Sequence, residues 1–363
     1  MDAAYKLGAG RYIQMPGALT EAGNEICRYG KCVWVVGGPT ALSLTKESLK
    51  KQFQEKGIMY EFLEYSGYTT QTITECYAEY VRKHKFEIVV GVGGGRIMDL
   101  AKAIAHIARL PVITIPTCSA TCAAYTPMSV MYEADGAAIG TDGGNFYHDY
   151  EVAGVIVDED IMVHQPPRYA AAGMLDSMAK AIEIQNGCPG VDMEKSGFEI
   201  YTAYILSKYI YRILEEGCSD IYRDIEQHIL SKRVHNYLYI NFVLTGFISG
   251  SSKALGQTAL AHEMYYAVRK YFTQESKKYL HGEIVGSSLI LQLCYNRQEE
   301  QIPGFIEFMR TMNMPVTLQE LGIPETNENI KKIYCHLKNT EFVDKSPENL
   351  EQLKKAVFSM CRR

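Results

Sequence analysis

Three polar side chains stand where apolar ones would be expected. Asp176 lies in Ala171-Ala172-Gly173-Met174-Leu175-Asp176-Ser177-Met178-Ala179, a helical run of small and apolar residues. His262 lies in Ala259-Leu260-Ala261-His262-Glu263-Met264, inside an otherwise apolar helical stretch. His281 lies in Tyr279-Leu280-His281-Gly282-Glu283-Ile284-Val285-Gly286, where an apolar helix begins. A carboxylate in such surroundings is costly unless it is paired or bound to a cation. An Asp with two His, leaving one coordination position open, is how a catalytic zinc-like centre is built. Each residue taken alone is more often a hydrogen-bonded polar group of the core. His262-Glu263 does not continue into the HExxH pattern, because tyrosine stands near the place of the second histidine. Spacing therefore leaves the metal site open. His84 and His235, among basic residues, are expected on solvated faces.

A second segment has a chemistry of its own. Gly91-Val92-Gly93-Gly94-Gly95-Arg96-Ile97-Met98-Asp99-Leu100-Ala101-Lys102 follows a strand-like run and opens a helical one. Glycines let a backbone approach a phosphate closely, and a helix N-terminus offers free N–H groups and the positive end of its dipole. The segment is not GxGxxG, since Arg96 occupies the place of the third glycine, and no GK[ST] follows. It fits pyrophosphate binding, or a tight turn with no ligand. The ten cysteines include no CxxC pair, and Cys118 and Cys122, with three residues between them, lack companions for a metal site. They are expected as reduced thiols.

The elements that must carry these residues fall into two kinds. Val33–Val36, Glu87–Val92, Val112–Ile115 and Val155–Val157 are apolar on both faces, which suits strands of a parallel sheet covered by helices. Ile97, Leu100, Ala101, Ile104 and Ala108 recur at helical spacing between the second and third runs, making a βαβ unit. Such units place ligands at the carboxyl ends of their strands. After Pro166-Pro167 helical periodicity dominates, with long stretches at 168–186, 197–216 and 222–249 and a helix start near Arg168. The expected architecture is an α/β N-terminal dinucleotide-binding domain with a parallel sheet, residues 1–160, followed by an all-α C-terminal domain, residues 161–363.

A length of 363 residues agrees with two domains, and 47% hydrophobic with 22% charged residues is an ordinary globular composition. With 37 Lys+Arg against 42 Asp+Glu, the net charge of −5 offers no basic footprint, so no nucleic-acid partner is expected. No apolar run approaches the roughly 18–20 residues of a membrane span. The opening MDAAYKLGAGRYIQ has no apolar signal core. A soluble, cytoplasmic protein with no membrane partner is the expectation.

Five segments together resemble the iron-containing alcohol dehydrogenase superfamily, in its glycerol dehydrogenase-like division. They are GGGRIMDLAKA at 93–103, PTCSATCAAYTPMSVMY at 116–132, AAGMLDSMAKAIE at 171–183, ALAHEMYYAV at 259–268 and LHGEIVG at 280–286. They occur in the family's order and at similar separations, so the resemblance covers nearly the whole chain. It implies the dehydroquinate synthase-like architecture, with an NAD(P)-binding domain, a helical domain and a metal in the cleft between them. By position it makes Asp176, His262 and His281 the metal ligands, through which they act in catalysis. Gly93, Gly94, Gly95 and Asp99 would line the dinucleotide phosphates, and Thr117, Thr126, Met128 and Val130 would contact the cofactor. Lys180 stands where iron-binding members carry a further histidine, which favours zinc, with iron the alternative.

Three departures bear on the substrate. Glycerol dehydrogenases carry an Asp that holds the diol where this chain has Cys122. Losing that anion removes a repulsion against carboxylates, and ATCAAYTPMSVMY is closer to the 2-hydroxycarboxylate dehydrogenase branch. Gly38 ends the first strand where NAD-preferring relatives often carry an acid, which leaves NAD and NADP both open. Tyr265 replaces a second histidine of many relatives, and Lys180 and Lys253 are the candidates for a carboxylate clamp. The expected function is reduction of a small 2-oxo acid to a 2-hydroxy acid with NAD(P)H and a divalent metal. The alternative is a glycerol or polyol dehydrogenase. A lyase of the dehydroquinate synthase type and a nucleotide-binding protein without catalysis are the remaining rivals. Homo-oligomers are common in the family, and a homo-oligomer binding a small-molecule substrate is the expected assembly.

Overall fold

A computed structural model describes residues 6–140, 144–188, 190–252 and 257–361. Six strands form one parallel sheet in the order β1-β8-β5-β4-β2-β3: β1 Tyr12–Met15, β2 Cys32–Gly37, β3 Met59–Glu64, β4 Ile88–Gly93, β5 Val112–Pro116 and β8 Gly154–Asp158. A two-stranded antiparallel hairpin, β6 Met128–Val130 with β7 Asn145–Tyr147, stands beside it. Alternation along β2 sends Trp34 and Val36 to one face and Val33 and Val35 to the other, and each face has its own buried cluster. Helices α1 Pro39–Lys56, α2 Gln71–Lys83 and α3 Gly95–Ala108 cover the sheet. The carboxyl ends of β2, β4 and β5, at Gly37, Gly93 and Pro116, lie side by side. The chain leaves β2 toward β3 and leaves β4 toward β5, so the order reverses there, the place where open parallel sheets bind ligands.

From Glu159 onward the described residues are helical: α4 Pro167–Glu183, α5 Phe198–Glu226, α6 Lys232–Tyr239, α7 Leu260–Tyr271, α8 His281–Tyr295, α9 Ile302–Thr311, α10 Asn327–Lys338 and α11 Pro347–Phe358, with shorter turns between. The helical part is not a separate globule. One buried cluster runs from Trp34 and Leu100 through Met174, Leu214, Leu260 and Leu289 to Leu353. Packing across the two halves therefore fixes the cleft between them.

The stretch 222–249 is not one helix. α5 stops at Glu226, His228 takes φ 56°, and Ser231 caps α6 with its hydroxyl accepting from the Val234 amide. A five-residue π turn, Ile240–Leu244, then leads into a further helix, Thr245–Ser251. His235 is half-exposed but not idle: its Nδ1 lies 2.6 Å from Oε1 of the buried Glu159. β1 and β3, both at sheet edges, and the β6–β7 hairpin add to the four strands expected from apolar runs.

Candidate functional site

Glycines bring the three polar side chains together. A Cβ on Gly282 would lie 1.9 Å from the Ala172 carbonyl oxygen, and one on Gly286 would lie 2.5 Å from the Leu175 side chain. Only helices without side chains at those positions approach so closely, and the approach sets His281, the first residue of α8, beside Asp176 in α4. A Cβ on Gly173 would lie 1.8 Å from the Ser119 carbonyl oxygen, so α4 also presses against the loop after β5. Gln165 Oε1 holds that loop by accepting from the Ser119 amide at 2.8 Å and from its hydroxyl at 2.9 Å. His262 comes from the first turn of α7.

Asp176 Oδ1 lies 3.6 Å from His262 Nε2, 3.7 Å from His281 Nε2 and 3.7 Å from Lys180 Nζ. These contacts are too long for hydrogen bonds, and Oδ1 is buried with no hydrogen-bond partner. Two ligand atoms each about 2.1 Å from a tetrahedral ion stand about 3.4 Å apart. One oxygen and two ring nitrogens, all within 4.8 Å of one another, thus fit a single divalent cation. Burial alone would raise the Asp176 carboxyl, but the Lys180 ammonium and the two imidazoles hold it well below the usual carboxylate range. It is therefore an anion ready to bind a cation. Burial lowers His281, which keeps a ring nitrogen unprotonated for coordination.

Glu183 sets the orientation of His262. It is fully buried, and its Oε2 lies 2.5 Å from His262 Nδ1 while Oε1 accepts from the amides of Ala259 and His262 at 2.7 and 2.9 Å. Burial pushes Glu183 up, but the His262 ring outweighs it and the carboxyl stays below its ordinary value. The opposite balance holds for His262, where burial lowers and Glu183 raises, with a net rise. An ionised carboxylate can only accept, so Nδ1 carries a proton and Nε2 is left for the cation. Residue pattern alone assigns Glu183 no role, although Asp176, Lys180 and Glu183 form an i, i+4, i+7 stripe of charge in an apolar helix.

At the other end of the same cleft lies the glycine turn. Gly93 closes β4 with φ +152°, and Gly94 opens α3 without a side-chain cap. Ile97 and Met98 donate back to the Gly94 carbonyl, while the amides of Gly95 and Arg96, the first helical residues, have no acceptor within the helix. A Cβ on Gly94 would sit 3.1 Å from Cys118 Sγ, and one on Gly95 3.1 Å from Thr121 Oγ1, so side chains there would fill the groove above the turn. Bare backbone beneath a groove at a helix N-terminus fits a pyrophosphate.

Every sequence-derived candidate described by the structure lines this one cleft, which has a volume of about 1600 Å³: Gly93, Gly94, Gly95, Asp99, Thr117, Cys122, Thr126, Met128, Val130, Asp176, His262 and His281. Gly38 and Lys180 line it too, and Lys253 lies outside the described residues. Asp99 has a structural task. Its Oδ1 lies 3.1 Å from Nζ of the buried Lys102, which also donates to the carbonyls of Thr126 and Met128 and so ties α3 to the segment entering β6. Cys122 is buried, and burial with the nearby Asp176 pushes its thiol up to about 11, so this position presents no anion. Tyr132, Gln165 and Tyr265 also line the cleft and were not assigned contacts there from sequence.

Known proteins resemble this chain in sequence and fold. Residues 9–149 match the family described as iron-containing alcohol dehydrogenase. A glycerol dehydrogenase of Escherichia coli strain CFT073 is 27% identical over 329 residues, 87% of this chain and 86% of its own. Hydroxycarboxylate dehydrogenase A of Escherichia coli strain K12 is 24% identical over 336 residues, 91% of this chain and 89% of its own. Among solved structures, a probable glycerol dehydrogenase from Sinorhizobium meliloti superposes with a TM-score of 0.82 at 19% identity, covering 99% of this chain and 98% of the other.

Proposed function

We propose that this chain, whose residues 9–149 match the iron-containing alcohol dehydrogenase family and whose relatives include glycerol dehydrogenases, is an oxidoreductase of that superfamily whose cleft interconverts small polyols with their hydroxy ketones by metal-assisted, nicotinamide-linked hydride transfer. The observation that carries the proposal is the buried Asp176–His262–His281 triad at one end of a cleft whose other end is the bare glycine turn. When bound, a divalent ion at the triad supplies Lewis acidity to the substrate oxygen and a nicotinamide supplies or accepts the hydride. Gly94, Gly95 and Arg96 would bind the dinucleotide phosphates through backbone amides. Thr117, Thr126, Met128 and Val130 would seat the rest of the cofactor. Asp176, His262 and His281 would hold the ion, and Glu183 keeps the His262 ring in the tautomer that can do so.

Glycerol and dihydroxyacetone come first because glycerol dehydrogenases stand out among the relatives. One observation favours the 2-oxo acid reading instead: Cys122 is a neutral thiol where a diol-binding Asp would stand, with Lys180 as the nearby cation. That arrangement tolerates a substrate carboxylate. The test follows nicotinamide absorbance with added zinc or iron(II), running NADH and NADPH each against dihydroxyacetone, 2-oxobutanoate and 2-oxoglutarate. Oxidation with dihydroxyacetone is the expected result. Turnover confined to the oxo acids would replace the polyol reading with the second, and no turnover with any of them would overturn both.

A further inference from the structure

Two phenols meet across the cleft beside the triad. Tyr132 follows β6, its amide bonded to the Thr69 carbonyl, and Tyr265 sits in α7 with its ring edge-on to His281, centroids 4.3 Å apart. Their hydroxyl oxygens lie 2.9 Å apart, and among the described residues neither makes another hydrogen bond. Each phenol has one proton. One proton lies between the two oxygens and leaves the other O–H unspent, in a pair whose side chains both line the cleft that holds Asp176, His262 and His281. A donor left over beside the reacting position is a preformed partner for a second substrate oxygen.

We propose that the Tyr132–Tyr265 hydroxyl pair is a specificity element, donating a hydrogen bond to an oxygen on the carbon next to the one that gains or loses hydride. The inference rests on the dehydrogenase reading above and names its substrate class: compounds with oxygens on adjacent carbons. A hydroxy ketone and a 2-oxo acid both satisfy it, whereas a simple ketone does not. The Tyr265 ring against His281 gives the residue a packing role as well, so the test replaces the hydroxyls and keeps the rings.

The experiment compares the wild-type enzyme with Tyr132→Phe, Tyr265→Phe and the double variant, loaded with the same divalent metal and NADH or NADPH. Substrates are hydroxyacetone against acetone, and 2-oxobutanoate against butanone, so that each pair differs by the vicinal oxygen group. Wild type is expected to favour the vicinal member of at least one pair. The double variant should narrow that kcat/KM ratio about ten-fold, since an unmet hydrogen bond to a neutral hydroxyl is worth roughly a factor of ten. The pair of substrates that responds identifies the second oxygen as hydroxyl or carboxylate. Metal content and NADH fluorescence titration should match wild type. A ratio that does not move, or equal losses on both members of each pair, would overturn the inference while leaving the dehydrogenase reading in place. Absence of wild-type turnover with all four carbonyls and with dihydroxyacetone would overturn both, and turnover with dihydroxyacetone alone would overturn the inference only if the double variant left it unchanged.

Discussion

Glu183 touches no position a substrate could reach, yet the charge arrangement makes the candidate metal site depend on it. Its carboxylate is fully buried, accepts two backbone amides and meets His262 Nδ1, so it fixes both the α7 start and the ring that follows. Glu183→Gln keeps the size and an oxygen for the amides but offers an N–H to the ring nitrogen, favouring the wrong tautomer. Metal affinity should fall about 10–100-fold, measured by chelator competition, with an unchanged far-ultraviolet circular dichroism spectrum. Affinity equal to wild type would show that His262 needs no such partner. The candidate ligands were legible as residue types because Asp176, His262 and His281 interrupt apolar runs. The charged neighbours Lys180 and Glu183 share the helix of Asp176, but their meaning depends on what faces them. Only the fold shows that Glu183 faces His262 and that Lys180 stands 3.7 Å from Asp176.

At the scale of elements, the site is an outcome of helix approach. α4 and α8 meet through Gly282, whose absent side chain leaves the Ala172 carbonyl unobstructed. Gly282→Ala would require a displacement of more than 1 Å between two packed helices, costing about 3 kcal/mol or more. The variant should lose metal binding more severely than stability, because the displaced helix carries His281 at its first residue. Metal titration and thermal melting read the two effects separately, and a folded variant with wild-type metal affinity would refute the argument. This approach was invisible in the sequence, since Gly282 carries no signal of the backbone it faces. Strands β2, β4, β5 and β8 were legible because they are apolar on both faces. β1 and β3 were not: they are edge strands in which polar residues such as Gln14, Glu61 and Glu64 stand among the apolar ones. Periodicity also ran on through 222–249, since an apolar stripe gives no sign of the reversal at His228.

For the molecule as a whole, a cation at the triad would be a cross-link. Its ligands come from α4, α7 and α8, separated by 86 and 19 residues along the chain but joined in one continuous core with the sheet. An ion that binds the folded state and not the unfolded one stabilises it by mass action, about 2.7 kcal/mol when free metal is a hundred times its Kd. Spread over the unfolding entropy of a chain of 363 residues, that is a rise in Tm of about 3–4 °C. Protons compete for the same ring nitrogens. The raised pKa of His262 places that competition above the ordinary imidazole value of about 6.5, while the depressed Asp176 carboxyl stays ionised throughout. The metal-dependent rise should therefore be full in mildly alkaline buffer and shrink as pH falls through neutrality toward 6. His281→Ala should melt at the same temperature with zinc as without it, at pH 8 and at pH 6 alike. A wild-type Tm indifferent to zinc at pH 8 would mean that the triad does not hold an ion in the folded protein. A metal shift that persists unchanged at pH 6 would mean that His262 is not among the ligands.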